Sequence, residues 1–153
     1  MKTIFECISC SESETEDAGR KLARLMEEDA ALPSFIALYG DLGAGKTAFV
    51  RGLASVFTPD SAVSSPTYAI INTYDSDQYI FYHLDLYRIT GEDDLYSTGF
   101  DDLSGMNTKK TIIAAEWCEN IPYSLPGSYV RVILGKTDEN RRSIKAEIIN
   151  EEK

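Results

Sequence analysis

The stretch FIALYGDLGAGKTAFVRG at 35–52 restricts the possible fold of this chain more than any other part of it. Its first five residues, 35–39, are all apolar and predict a short strand that is buried on both faces. Residues 45–56 carry apolar side chains at helical spacing and predict a helix, which 58–60 end. A strand, a short glycine-rich loop and a helix in direct succession are typical of α/β domains.

The loop between that strand and that helix, GDLGAGKT at 40–47, fits G-x-x-x-x-G-K-[ST] at every fixed position. Glycines let backbone N–H groups turn toward phosphate oxygens, and a helix N-terminus adds its positive end. Lys46 can reach the β- and γ-phosphates, and the Thr47 hydroxyl can bind Mg²⁺. We therefore predict a nucleoside triphosphate site with these nucleotide-binding residues: Asp41, Leu42, Gly43, Ala44, Gly45, Lys46, Thr47 and Ala48.

Length and charge exclude several classes of protein. The 153 residues suit one domain, so we predict a single phosphate-loop ATPase domain over 1–153. A formal net charge of -10 argues against a protein that holds DNA or RNA by its general field. No apolar run reaches the roughly 20 residues of a membrane helix, and the N-terminus does not resemble a signal peptide. We expect a cytoplasmic protein.

The cysteines give only a weak signal. The chain has three cysteines, and this odd count argues against a framework of disulfide bonds. Cys7 and Cys10 form a C-x-x-C, but a second pair is missing and the chain has one histidine, so a four-ligand zinc site lacks partners. The two cysteines could still form a redox pair before a helix. The favoured interpretation is that they are two small residues at the end of a strand.

Periodicity and turn residues predict the remaining elements and the fold class. Ser13 and Glu16 fit a capping box for a helix over 15–30. Strands are predicted at 2–8, 68–75, 78–87, 111–115, 129–134 and 143–149, and 91–103 is expected to be mostly helix and loop. The strands at 68–75 and 78–87 should form a hairpin, and 136–142 a polar turn. Together they predict an α/β fold, a three-layer P-loop NTPase-like domain with a mixed, partly antiparallel sheet.

A phosphate-loop enzyme needs a carboxylate at the end of a neighbouring strand to hold or orient Mg²⁺. Glu116 ends the apolar run at 112–115, and Asp85 ends YIFYHLD at 79–85. Either residue could instead be an acid at a surface strand end. By apolar context we assign the metal to Glu116 and a water-orienting or supporting role to Asp85.

Three further residues have alternative roles. His83 is either a polar partner of the site or a hydrogen-bonded histidine within a strand. Trp117 could pack beside the nucleotide, face a partner or lie in the core. Thr67, in a loop that Pro66 stiffens, is either a γ-phosphate sensor that acts through Mg²⁺ or a plain turn residue.

Fragments of a GTPase pattern occur, but they lack its context. Residues 102–105 match D-x-x-G without a preceding apolar strand, and glycine at 135 replaces the asparagine of N-K-x-D. We therefore prefer ATP as the nucleotide.

Five stretches together resemble the bacterial TsaE family (formerly YjeE), the small ATPase of tRNA threonylcarbamoyladenosine biosynthesis. They are GDLGAGKT at 40–47, SPTY at 65–68, HLDLYR at 83–88, the glycine at 99 and EW at 116–117. They occur in the order and spacing of the family and cover nearly the whole chain. The phosphate loop is shared by many families, whereas SPTY, HLDLYR and EW together are specific.

The resemblance implies both an activity and partners. It implies slow hydrolysis of ATP with Mg²⁺, and action with the TsaD–TsaB pair, which transfers a threonylcarbamoyl group to adenosine 37 of tRNAs that read codons beginning with A. The ATPase would reset that complex between turnovers, and would meet tRNA only through it. Catalytic roles then fall to Lys46, Thr67, Asp85 and Glu116, metal binding to Thr47 and Glu116, and nucleoside contacts to Ser13 and Arg141.

Two positions depart from the family pattern: Ala48 stands where a second threonine is frequent, and Leu84 where phenylalanine is common. Two rival functions stay open. A small phosphate-loop kinase would need a lid with arginines over the transferred phosphate, and no such lid is evident in the sequence. A non-catalytic, ATP-sensing interaction module would use bound nucleotide only to stabilise a partner-binding surface.

Overall fold

The computed structural model describes residues 2–41, 43–61, 63, 71–89, 94–95 and 109–150. In chain order their main elements are β1 (Lys2–Ser9), α1 (Glu12–Glu28), β2 (Phe35–Tyr39), α2 (Lys46–Phe57), β3 (Ile71–Asp75), β4 (Tyr79–Asp85), β5 (Lys110–Glu116), β6 (Ser128–Asp138) and β7 (Arg141–Asn150). A 3₁₀ turn at Cys118–Asn120 follows β5. None of the helices in these ranges has the length and apolar character needed to cross a membrane.

The seven strands form one mixed sheet in the order β1-β7-β6-β2-β5-β4-β3. The four central neighbours β6, β2, β5 and β4 are parallel, whereas β3, β7 and β1 run antiparallel to the strands beside them. The carboxyl ends of the four parallel strands therefore meet at one edge. β1 also ends there, because β1 and β6 are both antiparallel to β7. The predicted α/β class with a partly antiparallel sheet is confirmed.

Each face of the sheet buries its own apolar cluster, which explains why β2 is apolar throughout. Ile36 and Leu38 of β2 point into the cluster that α1 and α2 cover. Phe35 and Ala37 alternate to the other face, where Leu86, Ile121 and their neighbours cover them. The prediction of a strand buried on both faces is therefore confirmed.

Helices α1 and α2 pack against each other through two glycines. A Cβ atom added to Gly19 would lie 2.2 Å from the carbonyl oxygen of Phe49, and one added to Gly52 would lie 2.0 Å from that of Glu16. Both distances are far below a van der Waals contact, so the two backbones approach as closely as they do only because neither position has a side chain. Both helices begin at the edge where the parallel strands end.

The first helix begins earlier than predicted. Its N-cap is Ser11, whose hydroxyl accepts a hydrogen bond from Glu14 N at 3.1 Å, while the Glu14 carboxylate accepts one from Cys10 N at 3.2 Å. The capping box assigned to Ser13 and Glu16 is therefore wrong. The sequence SESETE contains two overlapping S-x-x-E matches, and the earlier one lets the helix begin directly after β1.

The two hairpins also differ from the sequence prediction in extent. β3 and β4 pair antiparallel as predicted, over Ile71–Asp75 and Tyr79–Asp85, while residues 68–70 lie outside the described ranges, as does 91–103 apart from 94–95. The predicted polar turn at 136–142 is wrong, because β6 continues to Asp138 and β7 begins at Arg141. Only Glu139 and Asn140 form the turn. The backbone hydrogen bonds between β6 and β7 continue through polar residues, where the sequence has no alternation of apolar side chains to indicate a strand.

We expect Gly52→Ala to destabilise the fold by about 2–3 kcal/mol, because the added methyl group would force two helix backbones apart. Urea unfolding followed by circular dichroism measures this loss. Arg24→Ala, on the exposed side of α1, is the control and should change the free energy of unfolding by less than about 0.5 kcal/mol. A Gly52→Ala protein as stable as the control would contradict the described helix contact.

Candidate nucleotide-binding site

A cavity of about 470 Å³ opens at the edge where the parallel strands end. Within the described ranges, four parts of the chain meet there: the connection from β1 to α1, the loop and first turns of α2, the ends of β4 and β5, and the β6–β7 turn. The described residues that line it are Cys10, Ser11, Glu12, Thr15, Gly43, Gly45, Lys46, Thr47, Ala48, Arg51, Asp85, Glu116, Trp117, Glu139, Asn140 and Arg142. Ligand sites in open α/β sheets lie at such an edge.

The backbone of the phosphate loop depends on its glycines. Gly45 is the N-cap of α2 and has φ 100°, a left-handed conformation that favours glycine. Gly40 lies so close to β6 that an added Cβ would be 2.5 Å from the Leu134 carbonyl oxygen. The loop therefore passes over the end of the sheet and delivers the N-terminus of α2 to the cavity, where its free N–H groups favour an anion.

The Lys46 ammonium lies in the floor of the cavity among carboxylates. The residue is 5% exposed, its Nζ donates to the Gly40 carbonyl oxygen, and Nζ lies 3.5 Å from the centroid of the Trp117 ring. Burial lowers the pKa of Lys46, and Glu116, Glu119, Asp85 and Asp41 act in the opposite direction. A phosphate in the cavity would add negative charge beside this cation and favour its charged form.

The two predicted acids lie side by side. Asp85 at the end of β4 and Glu116 at the end of β5 are register partners, and Glu116 is also opposite Leu38 of β2. The Thr47 hydroxyl donates to Glu116 Oε2 at 3.3 Å. An Asp85 oxygen accepts a hydrogen bond from Tyr87 N at 3.0 Å. Of the two acids, Glu116 is therefore the one in contact with the hydroxyl of the motif.

The environment of Asp85 disfavours its charge. Burial raises the pKa of Asp85 and the neighbouring Glu116 carboxylate adds to this, although the Tyr87 N–H, His83 and Lys46 act against it. A carboxyl group with a raised pKa beside a phosphate site is suited to hold or accept a proton.

The arrangement fits Mg²⁺ better than it fits a metal held by protein alone. The Thr47 hydroxyl and the Glu116 carboxylate supply two adjacent oxygen atoms of the kind that Mg²⁺ prefers. No group of three or more His, Cys, Asp or Glu side chains suited to a metal occurs in the described ranges. Mg²⁺ in nucleotide sites takes one or two protein ligands and completes its shell with phosphate and water.

His83 and Trp117, which the sequence left with alternative roles, both contact site residues. His83 is fully buried, and its Nε2 lies 2.5 Å from Glu116 Oε2. Trp117 lines the cavity and packs against Tyr87 with ring centroids 5.0 Å apart. Its φ of 66° is unusual for a residue with a side chain, and it turns the chain sharply at the end of β5.

Several of the predicted site residues are not among those that line the cavity. Ser13 is exposed and does not line the cavity, whereas Ser11 and Thr15 beside it do. The Arg141 side chain is 64% exposed and pairs with Asp138 at 3.9 Å. Asp41 is exposed and Ala44 is buried, and neither is a lining residue. Leu42 and Thr67 lie outside the described residues.

Two arginines at the cavity were missed by sequence reasoning. Arg142 Nε donates to the Gly43 carbonyl oxygen at 3.3 Å, because alternation along β7 turns it toward the loop and Arg141 away from it. Arg51 of α2 pairs with Glu12 and with Glu16, the latter at 3.3 Å. Its position four residues after Thr47, on the same helix face, was a signal that could have found it.

Comparison with known sequences decides the family. Residues 9–144 match the family model described as "Threonylcarbamoyl adenosine biosynthesis protein TsaE". This chain belongs to the TsaE family. It is 38% identical over 127 residues to the "tRNA threonylcarbamoyladenosine biosynthesis protein TsaE" of a Nostoc species, covering 79% of this chain and 74% of that one. It is 31% identical over 126 residues to the protein of the same name from Bacillus subtilis, covering 82% and 76%.

A solved structure supports the fold of this TsaE-family chain. The crystal structure of YdiB from Bacillus subtilis superposes with a TM-score of 0.67 at 24% identity, covering 95% of this chain and 86% of that one. At this identity the likeness establishes the fold and not the roles of individual residues.

We expect Arg142→Ala to weaken ADP binding about ten-fold, which corresponds to ~1.4 kcal/mol and to one hydrogen bond that involves a charged group. Arg141→Ala is the matched control and should leave affinity within two-fold, because this neighbour points away from the cavity. Isothermal titration calorimetry measures both values. A larger loss in Arg141→Ala than in Arg142→Ala would contradict the described register of β7.

We expect Asp85→Asn to stabilise the protein at pH 7 when nucleotide and Mg²⁺ are absent. The pKa of Asp85 in the folded protein is raised above the ordinary 3.8, so the ionised carboxylate destabilises the fold at pH values above this folded-state pKa. This destabilisation shrinks as the pH falls, and it vanishes where Asp85 is protonated in both the folded and the unfolded protein. Asparagine keeps the acceptor for Tyr87 N. Urea unfolding at pH 7 and pH 5 should show a smaller gain at the lower pH, and a gain that grows at pH 5 would refute it.

Proposed function

We propose that this protein is a single-domain, Mg²⁺-dependent ATPase subunit needed to form threonylcarbamoyladenosine at position 37 of tRNAs that read codons beginning with A. In this proposal it works in the cytoplasm with the TsaD–TsaB complex, and reaches tRNA only through that complex. Membership of the TsaE family supports the pathway. The net charge of -10 supports action through a protein partner, since a chain of this charge repels a nucleic acid backbone.

One contact carries the ATPase part of the proposal, namely the hydrogen bond from Thr47 to Glu116. It joins the hydroxyl that ends the phosphate-loop motif to a carboxylate on the adjacent parallel strand, beside the buried Lys46. Phosphate-loop ATPases hold Mg²⁺ with this combination of a loop hydroxyl and a strand-end acid. Glu116 is buried and Thr47 is partly buried. This burial strengthens the electrostatic effect of both groups on a bound phosphate.

Each group then has a task that its chemistry permits. The loop N–H groups and Lys46 would bind the phosphates, and Thr47 with Glu116 would hold Mg²⁺, which when bound offsets the phosphate charge. Asp85, next to Glu116 and with a raised pKa, would orient the attacking water and accept its proton. Thr67, which precedes β3 in the sequence, would by its motif sense the γ-phosphate.

The decisive experiment is ATP hydrolysis by the full chain, alone and with purified TsaD, TsaB and tRNA. We expect slow release of phosphate alone, stimulation in the complex, and loss of tRNA modification when this protein is left out. Transfer of the γ-phosphate to an acceptor other than water would support a kinase instead. ATP-dependent assembly without hydrolysis in the complex would support a non-catalytic module.

Two variants separate phosphate binding from metal-dependent hydrolysis. Lys46→Ala should weaken ATP binding and lower hydrolysis together, because it removes the cation beside the phosphates. Glu116→Gln should lower hydrolysis by about 10²-fold or more in the complex while ATP binding without Mg²⁺ stays near that of the unmodified chain. Stopped-flow phosphate release and calorimetry measure these effects. Glu116→Gln with unchanged hydrolysis would refute the assignment of the metal to Glu116.

A further inference from the structure

His83 occupies an unusual position within β4. It is the single histidine of the chain, it is 0% exposed, and its Nε2 lies 2.5 Å from Glu116 Oε2. Its other ring nitrogen, Nδ1, is buried and has no hydrogen-bond partner among the described residues. Phe81, two residues earlier on the same face of the strand, is a fully buried apolar residue, and so is the next residue, Leu84. An apolar side chain at position 83 would therefore suit this part of the strand equally well for packing alone.

The pairing of β4 with β5 explains how the His83 side chain comes into contact with Glu116. His83 is the register partner of Ala114, two residues before Glu116, and side chains two apart on a strand share a face. The small Ala114 side chain leaves room for the imidazole to cross diagonally to the carboxylate. The Thr47 hydroxyl contacts the same oxygen, Oε2, from α2. Two donors from two different elements therefore converge on one carboxylate oxygen, and neither of them takes Oε1.

The hydrogen-bond partners also determine where the ring carries its hydrogen. Nε2 faces a carboxylate oxygen and must donate, while Nδ1 has no acceptor among the described residues, where an N–H would be left unpaired. A hydrogen on Nε2 and none on Nδ1 is the arrangement that satisfies these contacts.

We propose that His83 is a positioning residue that holds Glu116 by its Oε2 atom and so presents Oε1 to the Mg²⁺ that accompanies the nucleotide. The inference rests on the proposed ATPase function. Histidine–carboxylate pairs of this kind orient metal ligands, and removing the outer member typically lowers metal affinity or activity about 10- to 100-fold. A merely structural histidine would instead affect folding and leave the Mg²⁺ dependence of nucleotide binding unchanged.

Two substitutions of His83 test the proposal by binding as well as by activity. In His83→Leu the donor is lost, whereas in His83→Gln an amide N–H can take the place of Nε2. Calorimetry measures ADP affinity in EDTA and over a Mg²⁺ titration. We expect unchanged affinity in EDTA for both variants, a 10- to 100-fold higher Mg²⁺ requirement in His83→Leu, and a requirement within about three-fold of the original in His83→Gln.

A double-mutant cycle tests whether His83 acts through Glu116. If it does, His83→Leu combined with Glu116→Gln should need no more Mg²⁺ than Glu116→Gln alone. Additive losses, or a His83→Leu protein with the original Mg²⁺ dependence, would overturn the inference and leave the proposed function intact. An unmodified chain whose nucleotide binding ignores Mg²⁺ would contradict the proposed function itself.

Nitrogen-15 NMR keeps the inference testable if His83→Leu fails to fold. With one histidine in the chain, the long-range proton–nitrogen correlations of its ring are unambiguous. We expect the Nε2–H tautomer in the ligand-free protein, and a shift of the ring signals in Glu116→Gln. A ring with hydrogen on Nδ1, or signals that are indifferent to Glu116→Gln, would overturn the proposal.

Discussion

The parallel pairing of β2 with β5 is the constraint on which the site depends. It places Leu38 opposite Glu116, so that the chain leaves β2 for the phosphate loop at the level where β5 ends in a carboxylate. The first turn of α2 then brings Thr47 within hydrogen-bond distance of Glu116. A shift of this register by one residue would turn Glu116 to the other face of the sheet, away from α2. The apolar alternation of β2 between two buried clusters fixes that register.

The same site places charged groups where burial disfavours their charge. Burial lowers the pKa of Lys46 and raises that of Asp85, so each environment works against the ionised form of its own residue. The nearby carboxylates favour the charged form of Lys46. They also repel one another, as Glu116 does Asp85. A bound phosphate beside Lys46 and a cation beside the acids would relieve both effects. The ligand-free site is therefore less stable than an apolar packing of the same volume, a cost that functional sites commonly carry.

The sequence predicted those features that depend on local pattern. The strand at 35–39, the phosphate loop and the two strand-end acids follow from alternation, glycine spacing and apolar context within single segments. The errors have local causes as well. SESETE offers two capping boxes, and the polar residues at 136–142 concealed how far β6 and β7 extend. The family resemblance implied a nucleoside contact for Arg141, whereas the side chain that contacts the phosphate loop is that of Arg142. The roles of His83 and Trp117 could not be predicted, because they depend on contacts with distant residues: His83 with Glu116, and Trp117 with Lys46.

The charges around the cavity explain why a metal ion belongs to the proposed function. Among the described lining residues, four are acidic, Glu12, Asp85, Glu116 and Glu139, and three are basic, Lys46, Arg51 and Arg142. Arg51 is already paired with two glutamates of α1. Side-chain charge alone thus gives a triphosphate little net attraction. Backbone N–H groups at the start of α2 and a divalent cation held by Thr47 and Glu116 would have to supply the remainder, so tight binding of ATP should depend on Mg²⁺.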